Sequence, residues 1–160
     1  CYLMGQHFGL SELQIKQGLD QYTPSEHRLN LLIKNEIGIL DDTYNANPDG
    51  MRYALAYLKR LSGRRLCVLG DMLELGKASV LEHKGLIDPL IDAGVVQVFT
   101  FGDAMKELSS SRMPILHFED RRVLHTAVVS ELKKGDVVLV KGSRGMKMED
   151  TVEHIQQHCH

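Results

Sequence analysis

The feature that most constrains this chain is a set of short apolar runs separated by segments of helical periodicity. Ile37–Leu40, Leu66–Leu69 and Val137–Val140 lack the polar alternation of a strand with one wet face, and Val95–Phe101 and Ile115–Phe118 are two further strand candidates. Runs of this kind are buried on both faces, which is the habit of parallel strands. Between them, Met51, Ala54, Leu55, Leu58 and Leu61 recur at helical spacing before Gly63. Leu81, Leu86, Ile87, Leu90 and Ile91 predict one helix ending near Gly94. Val123, Leu124, Ala127, Val128 and Leu132 predict another that stops at Gly135, and Met148, Val152 and Ile155 mark one side of a last helix. Strands alternating with helices through right-handed crossovers predict the α/β class: a Rossmann-like three-layer domain, mostly parallel, with helices on both faces. Leu29–Ile33 and Ile37–Leu40, parted by Lys34-Asn35-Glu36, add an antiparallel hairpin at the sheet edge.

A chain of 160 residues with 43% apolar and 25% charged residues can build one well-filled core. Its net charge of −2 gives no basic footprint for nucleic acid. No apolar run approaches the roughly 20 residues that a membrane span needs, so membrane insertion is not expected. The cysteines, Cys1, Cys67 and Cys159, are odd in number and form no Cys-x-x-Cys pair. Cys67 lies within an apolar run, and reduced thiols in a cytoplasmic protein fit this usage. Ser11 to Tyr22 reads as a helix capped by Ser11, and Thr23-Pro24-Ser25 then breaks the chain. This opening piece is too short for a core of its own. The chain starts without Met and in mid-pattern, which reads as a fragment of something longer.

In an open α/β sheet, ligands bind beyond the carboxyl ends of the strands. Four polar strings follow strands here: Asp41-Asp42-Thr43-Tyr44-Asn45-Ala46-Asn47-Pro48, Gly70-Asp71-Met72-Leu73-Glu74-Leu75-Gly76, Gly102-Asp103 and Lys141-Gly142-Ser143-Arg144-Gly145. Parallel strands put all four on one edge, which predicts a single composite site. The local alternative makes each a plain turn, with Asn47 as N-cap and Pro48 opening a helix. The Lys141–Gly145 string suits a carboxylate or phosphate, which Arg144 can bind with both prongs of its fork. It is not a Walker A loop. Eight histidines are scattered from His7 to His160. His154, His158 and Cys159 have ligand-like spacing but supply no organised set of four, so no metal is expected. His83, after Glu82 on a helix, reads as a surface or loop-facing residue. No Ser/His/Asp order or activated cysteine stands out, so no catalytic residue is assigned.

Three of these strings together, Asp41 to Pro48, Val68 to Gly76 and Val140-Lys141-Gly142-Ser143-Arg144-Gly145-Met146-Lys147-Met148-Glu149, resemble the Mur ligases. Within that family the strings are similar to the branch that adds D-alanyl-D-alanine to a UDP-N-acetylmuramoyl tripeptide. The resemblance implies that residues 1–24 are the tail of an ATP-binding central domain, and that 25–160 form the family's C-terminal domain, which packs on that central domain. It implies ATP and magnesium as cofactors, an acyl phosphate intermediate, and peptidoglycan precursor as product. The family's phosphate loop and metal ligands belong to the central domain, so this fragment alone is not expected to ligate. The resemblance assigns Arg28, Asp42, Tyr44, Asn45 and Asn47 to the nucleotide. It assigns Asp71, Glu74, Lys141, Ser143 and Arg144 to the acceptor dipeptide. The family's usual glycine before the arginine is His27 here. Two other readings stand beside this one: a related muramoyl or folyl ligase domain, and a non-catalytic nucleotide- or partner-binding module.

Overall fold

The computed structural model describes residues 1–22 and 25–159. Thr23 and Pro24, where the break is expected, lie outside the described residues, as does His160. Two short helices, α1 (Tyr2–His7) and α2 (Glu12–Asp20), come first. Ser11 caps α2 as anticipated, in a reciprocal capping box with Gln14. Strands β1 (Asn30–Lys34) and β2 (Ile37–Asp42) follow, then α3 (Pro48–Leu58), β3 (Arg64–Gly70), α4 (Ser79–Lys84), α5 (Ile87–Asp92) and β4 (Val95–Phe101). The chain continues through β5 (Ile115–Phe118), α6 (Arg121–Glu131), β6 (Asp136–Lys141) and α7 (Glu149–His158).

The six strands form one sheet in the order β1-β2-β6-β3-β4-β5. Among the described residues, only the β1–β2 hairpin is antiparallel. The central strands are largely apolar on both faces because both faces are covered. Leu40, Cys67, Leu69 and Leu139 pack with Met51, Leu55 and Leu58 of α3 and Leu90 of α5. Ile39, Leu66, Val68, Val138 and Val140 pack with Leu124 and Val128 of α6 and Val152 and Ile155 of α7. This is the three-layer arrangement the run pattern predicts. Cys67 and Cys159 are buried free thiols, and burial pushes both of them up from the usual thiol range.

One expected element is two. The apolar residues from Leu81 to Ile91 do not share a continuous helix. Gly85 ends α4 and Leu86 precedes α5. Pro89 explains the break: in a continuous helix its nitrogen would have to donate to the Gly85 carbonyl, and proline has no N–H to give. No helix is long and apolar enough to cross a membrane among the described residues.

At the strand starts, Arg64 fastens β3 to β6. Its guanidinium pairs with Asp136 at 2.8 Å and with Glu131 at 2.7 Å. Burial alone would raise the Asp136 carboxyl, but Arg64 and the Lys133 N–H outweigh it and hold that carboxyl below its ordinary value.

The outer face carries a stack of histidines. His125 on α6 is 8% exposed, and its Nε2 pairs with Thr151 Oγ1 at 3.0 Å. Its ring stacks on His154 at 4.6 Å, and His154 stacks on His158 at 4.0 Å. Burial first, then the nearby charges of His154 and Arg121, lower the His125 pKa to about 4, with Asp150 opposing. The unfolded chain takes up this proton near 6.5 while the folded chain waits until about 4. The stability tied to neutral His125 is therefore present above pH 6.5 and lost as pH falls to about 4, on the order of 3 kcal/mol in all. His125→Gln, which keeps a polar partner for Thr151 but cannot titrate, is expected to flatten that limb of the urea midpoint against pH. An unchanged limb would assign the acid sensitivity to other groups.

Candidate functional site

All four polar strings meet at the carboxyl edge of the sheet, because β2, β6, β3 and β4 run parallel side by side. The site is built from the loops after these strands.

At the end of β2, Asp41 is buried and shapes the turn that follows. Its Oδ1 accepts from the Thr43 hydroxyl at 2.7 Å and the Thr43 N–H at 3.2 Å, while Oδ2 meets His27 Nδ1 at 2.8 Å. His27 sits at φ +61°, the left-handed conformation that glycine adopts freely. The ring's contact with Asp41 offsets part of that strain, typically about 1–3 kcal/mol for a non-glycine residue. The tight bend brings the Arg28 guanidinium over the Tyr44 ring, 3.9 Å from its centroid. Asn47 caps α3 by accepting the Gly50 N–H at 2.7 Å, and Pro48 opens the helix. The Asn47 side-chain nitrogen has no hydrogen-bond partner among the described residues. Tyr44 and Asn45 are exposed.

Asp42 and Lys141 are register partners on the neighbouring strands β2 and β6. The Lys141 ammonium, 3% exposed, donates to Asp42 Oδ2 at 2.5 Å and to the Asn45 carbonyl at 2.8 Å. Asp42 Oδ1 accepts the Leu29 N–H at 3.1 Å. A carboxylate has about four acceptor positions, so Asp42 has acceptor capacity beyond these two contacts.

Ser143 ties three loops together. Its hydroxyl donates to the Ala46 carbonyl at 3.2 Å and accepts the Leu73 N–H at 2.8 Å, and its own N–H donates to the Asp71 carbonyl at 3.0 Å. Gly142 permits this convergence, since a Cβ there would stand 3.1 Å from the Gly70 Cα and 2.6 Å from Met148. Arg144 is exposed at the rim, and one of its nitrogens lies 3.1 Å from Glu149. Glu74 is exposed at φ +65°.

The loops after β2, β3 and β6 bound two of the clefts at this edge. One of about 500 Å³ is lined by Arg28, Asp42, Tyr44, Asn45, Asn47 and Lys141, with Tyr53 and Tyr57 of α3. The other, of about 520 Å³, is lined by Leu73, Glu74, Leu75, Ser143 and Arg144. Tyr44, Asn45 and Asn47 line both, so the loop after β2 is their common wall. The first cleft offers a guanidinium on an aromatic face beside a carboxylate. The second offers one cation and one carboxylate, a match for a zwitterion.

Two of the residues expected at the acceptor do not present their charges to the second cleft. Lys141 opens on the first cleft and is consumed by Asp42, because strand register sets the two side by side. Asp71 turns inward, where its two oxygens accept the N–H groups of Met105 at 2.8 Å and Ala104 at 3.1 Å. It packs on Gly102, at φ +113°, where any Cβ would lie 2.5 Å from the carboxylate. His83, read as surface or loop-facing, does face a loop but is fully buried. Tyr53 and Tyr57 went unassigned, although their four-residue spacing on α3, just beyond the Asn47-Pro48 cap, points them to the same side.

The profile of the family described as Mur ligase, glutamate ligase domain, matches residues 27–144, and the chain belongs to this family. Among curated relatives, the UDP-N-acetylmuramoyl-tripeptide–D-alanyl-D-alanine ligase of Bacillus subtilis is 34% identical over 163 aligned positions, covering 94% of this chain and 35% of its own. The crystal structure of the MurF ligase from Thermotoga maritima in complex with ADP superposes with a TM-score of 0.84 at 26% identity, covering 98% of this chain and 36% of that one. The MurF of Acinetobacter baumannii gives 0.82 at 27% identity, with 96% and 35% covered. The chain thus spans about a third of the length of the relatives it matches.

Proposed function

We propose that the complete protein carrying this domain is an ATP-dependent ligase that joins D-alanyl-D-alanine to UDP-N-acetylmuramoyl tripeptide in the cytoplasm, on the route to peptidoglycan. The carrying observation is the shared wall: one loop, Tyr44 to Asn47, lines both a cleft suited to a nucleotide and a cleft suited to a zwitterion. A ligase that forms an acyl phosphate needs both ligands at one edge. The γ-phosphoryl group passes from ATP to the tripeptide carboxylate and ADP leaves. The dipeptide amine then attacks the acyl carbon; the C–N bond forms, the acyl C–O bond breaks with its electron pair leaving on phosphate, and the amine nitrogen gives up a proton to solvent.

In this reading residues 1–24 belong to the preceding ATP-binding domain, and the segment from residue 25 closes over it. The exposed Leu3, Met4, Phe8 and Leu13 of the first two helices support that assignment. Arg28 meets nucleotide phosphates, Asp42 meets ribose hydroxyls, and Tyr44, Asn45 and Asn47 complete the wall. Glu74 faces the dipeptide ammonium and Arg144 its carboxylate. Ser143 shapes the acceptor cleft, and Lys141 and Asp71 hold the loops. The family resemblance places the magnesium ligands in the central domain, so magnesium is assigned to the rest of the protein, held by one or two carboxylates and the nucleotide phosphates.

The test is ADP release by the complete protein with ATP, the UDP-muramoyl tripeptide and either D-alanyl-D-alanine or single amino acids. Release that requires the dipeptide supports the reading, and release with glutamate instead would replace it. Arg144→Ala is expected to raise the KM for D-alanyl-D-alanine by roughly 10- to 100-fold, the worth of one charged hydrogen bond, with the ATP KM kept. Arg144→Lys should stay impaired because it loses the planar fork. If the Glu149 pair is the whole role of Arg144, both variants will match wild type.

A further inference from the structure

We propose that His83 is a positioning residue for the acceptor cleft: its neutral ring is the anchor that fixes the loop from Gly70 to Gly76. This rests on reading the second cleft as the acceptor site. His83 is fully buried and touches neither cleft. Its two nitrogens serve backbone groups on two different elements. Nδ1 lies 2.7 Å from the Ser79 carbonyl within α4 and must donate to it. Nε2 lies 3.0 Å from the Met72 N–H and must accept from it. Only one neutral tautomer satisfies both, so the arrangement itself fixes the ring's proton on Nδ1.

The bond to Met72 matters because the next two residues, Leu73 and Glu74, line the second cleft, and Glu74 holds a left-handed φ of +65° that only a constrained loop sustains. Three side-chain ties hold that loop, beside the Ser143 N–H on the Asp71 carbonyl. Asp71 clamps the turn after β4 through its carboxylate, and Ser143 takes the Leu73 N–H. His83 takes the Met72 N–H between them. The first two ties come from strand-end loops of the site itself, and the third comes from α4, outside it. Without an acceptor at Nε2, a buried N–H stays unpaired and the loop gains a reason to leave its place. Glu74 would then sample positions in which the dipeptide amine is poorly aimed, and attack on an acyl phosphate depends on aim.

Two amide substitutions dissect the ring. A glutamine side chain places its oxygen where Nε2 stands, so His83→Gln keeps the Met72 bond. An asparagine reaches only as far as Nδ1, so His83→Asn keeps the Ser79 side and abandons Met72. In the complete protein, His83→Asn is expected to raise the KM for D-alanyl-D-alanine on the order of tenfold, with the ATP KM near wild type, and His83→Gln to recover most of the loss. Amide exchange at Met72 should speed up by roughly tenfold or more in the asparagine variant and little in the glutamine variant. Equal behaviour of the two variants would overturn the proposal, because a general packing role cannot tell Nε2 from Nδ1. An ATP KM that rises as much as the dipeptide KM would overturn it too. If the wild-type protein made no product with D-alanyl-D-alanine, the acceptor reading would fall. The exchange contrast would still decide whether His83 anchors the loop.

Discussion

Replacing Lys141 with methionine is expected to lower the unfolding free energy of the domain by on the order of 3–5 kcal/mol, because Asp42 is left buried without its countercharge. The asymmetry of buried pairs sets the size of this loss. The intact pair contributes little net stability, since desolvating two ions offsets most of their attraction, whereas an orphaned charge carries the whole penalty. Lys141 also supplies the donor for the Asn45 carbonyl, so the same change loosens the wall between the two clefts. Urea denaturation at neutral pH measures the loss. Lys141→Met combined with Asp42→Leu removes both charges and should recover much of it, which a simple cavity effect would not allow. A single variant within about 1 kcal/mol of wild type would mean that water reaches the pair and screens it as it does at a surface.

That pair also marks where sequence reading stops. The strands were legible because burial on both faces leaves unbroken apolar runs, as at Val137–Val140. The hairpin and the Asn47-Pro48 cap were legible because turn and cap chemistry is local. The Asp42–Lys141 contact joins residues 99 positions apart, and it exists because β2 and β6 pair in one register out of several. Residue type alone cannot say whether a charged side chain at a strand end faces a ligand or a neighbouring loop. Lys141 and Asp71 turn to loops, and Arg144 faces outward. His83 was ambiguous for the same reason, since its α4 position matters only once the loop after β3 folds back over it. Pro89 was different: the signal for the break between α4 and α5 was present in the sequence, but the apolar spacing from Leu81 to Ile91 spoke for one helix and overrode it.

Asp42→Asn is expected to raise the KM for ATP of the complete protein by roughly 10- to 100-fold while D-alanyl-D-alanine use changes little. The asparagine keeps the size of the side chain and an oxygen for the Leu29 N–H. It loses the negative charge and an acceptor that the ribose hydroxyls would use. The substitution also breaks the pair with Lys141, so a stability loss is expected alongside, and KM alone does not separate the two causes. Lys141→Met supplies the comparison, since it breaks the same pair and leaves the Asp42 carboxylate in place, with the loosened Asn45 carbonyl as its one added effect. If Asp42 contacts the nucleotide, Asp42→Asn weakens ADP binding by calorimetry and Lys141→Met does so far less. If the two variants weaken ADP equally, Asp42 acts only by holding the strand ends together, and Arg28 with its Tyr44 platform is left as the nucleotide contact of this domain.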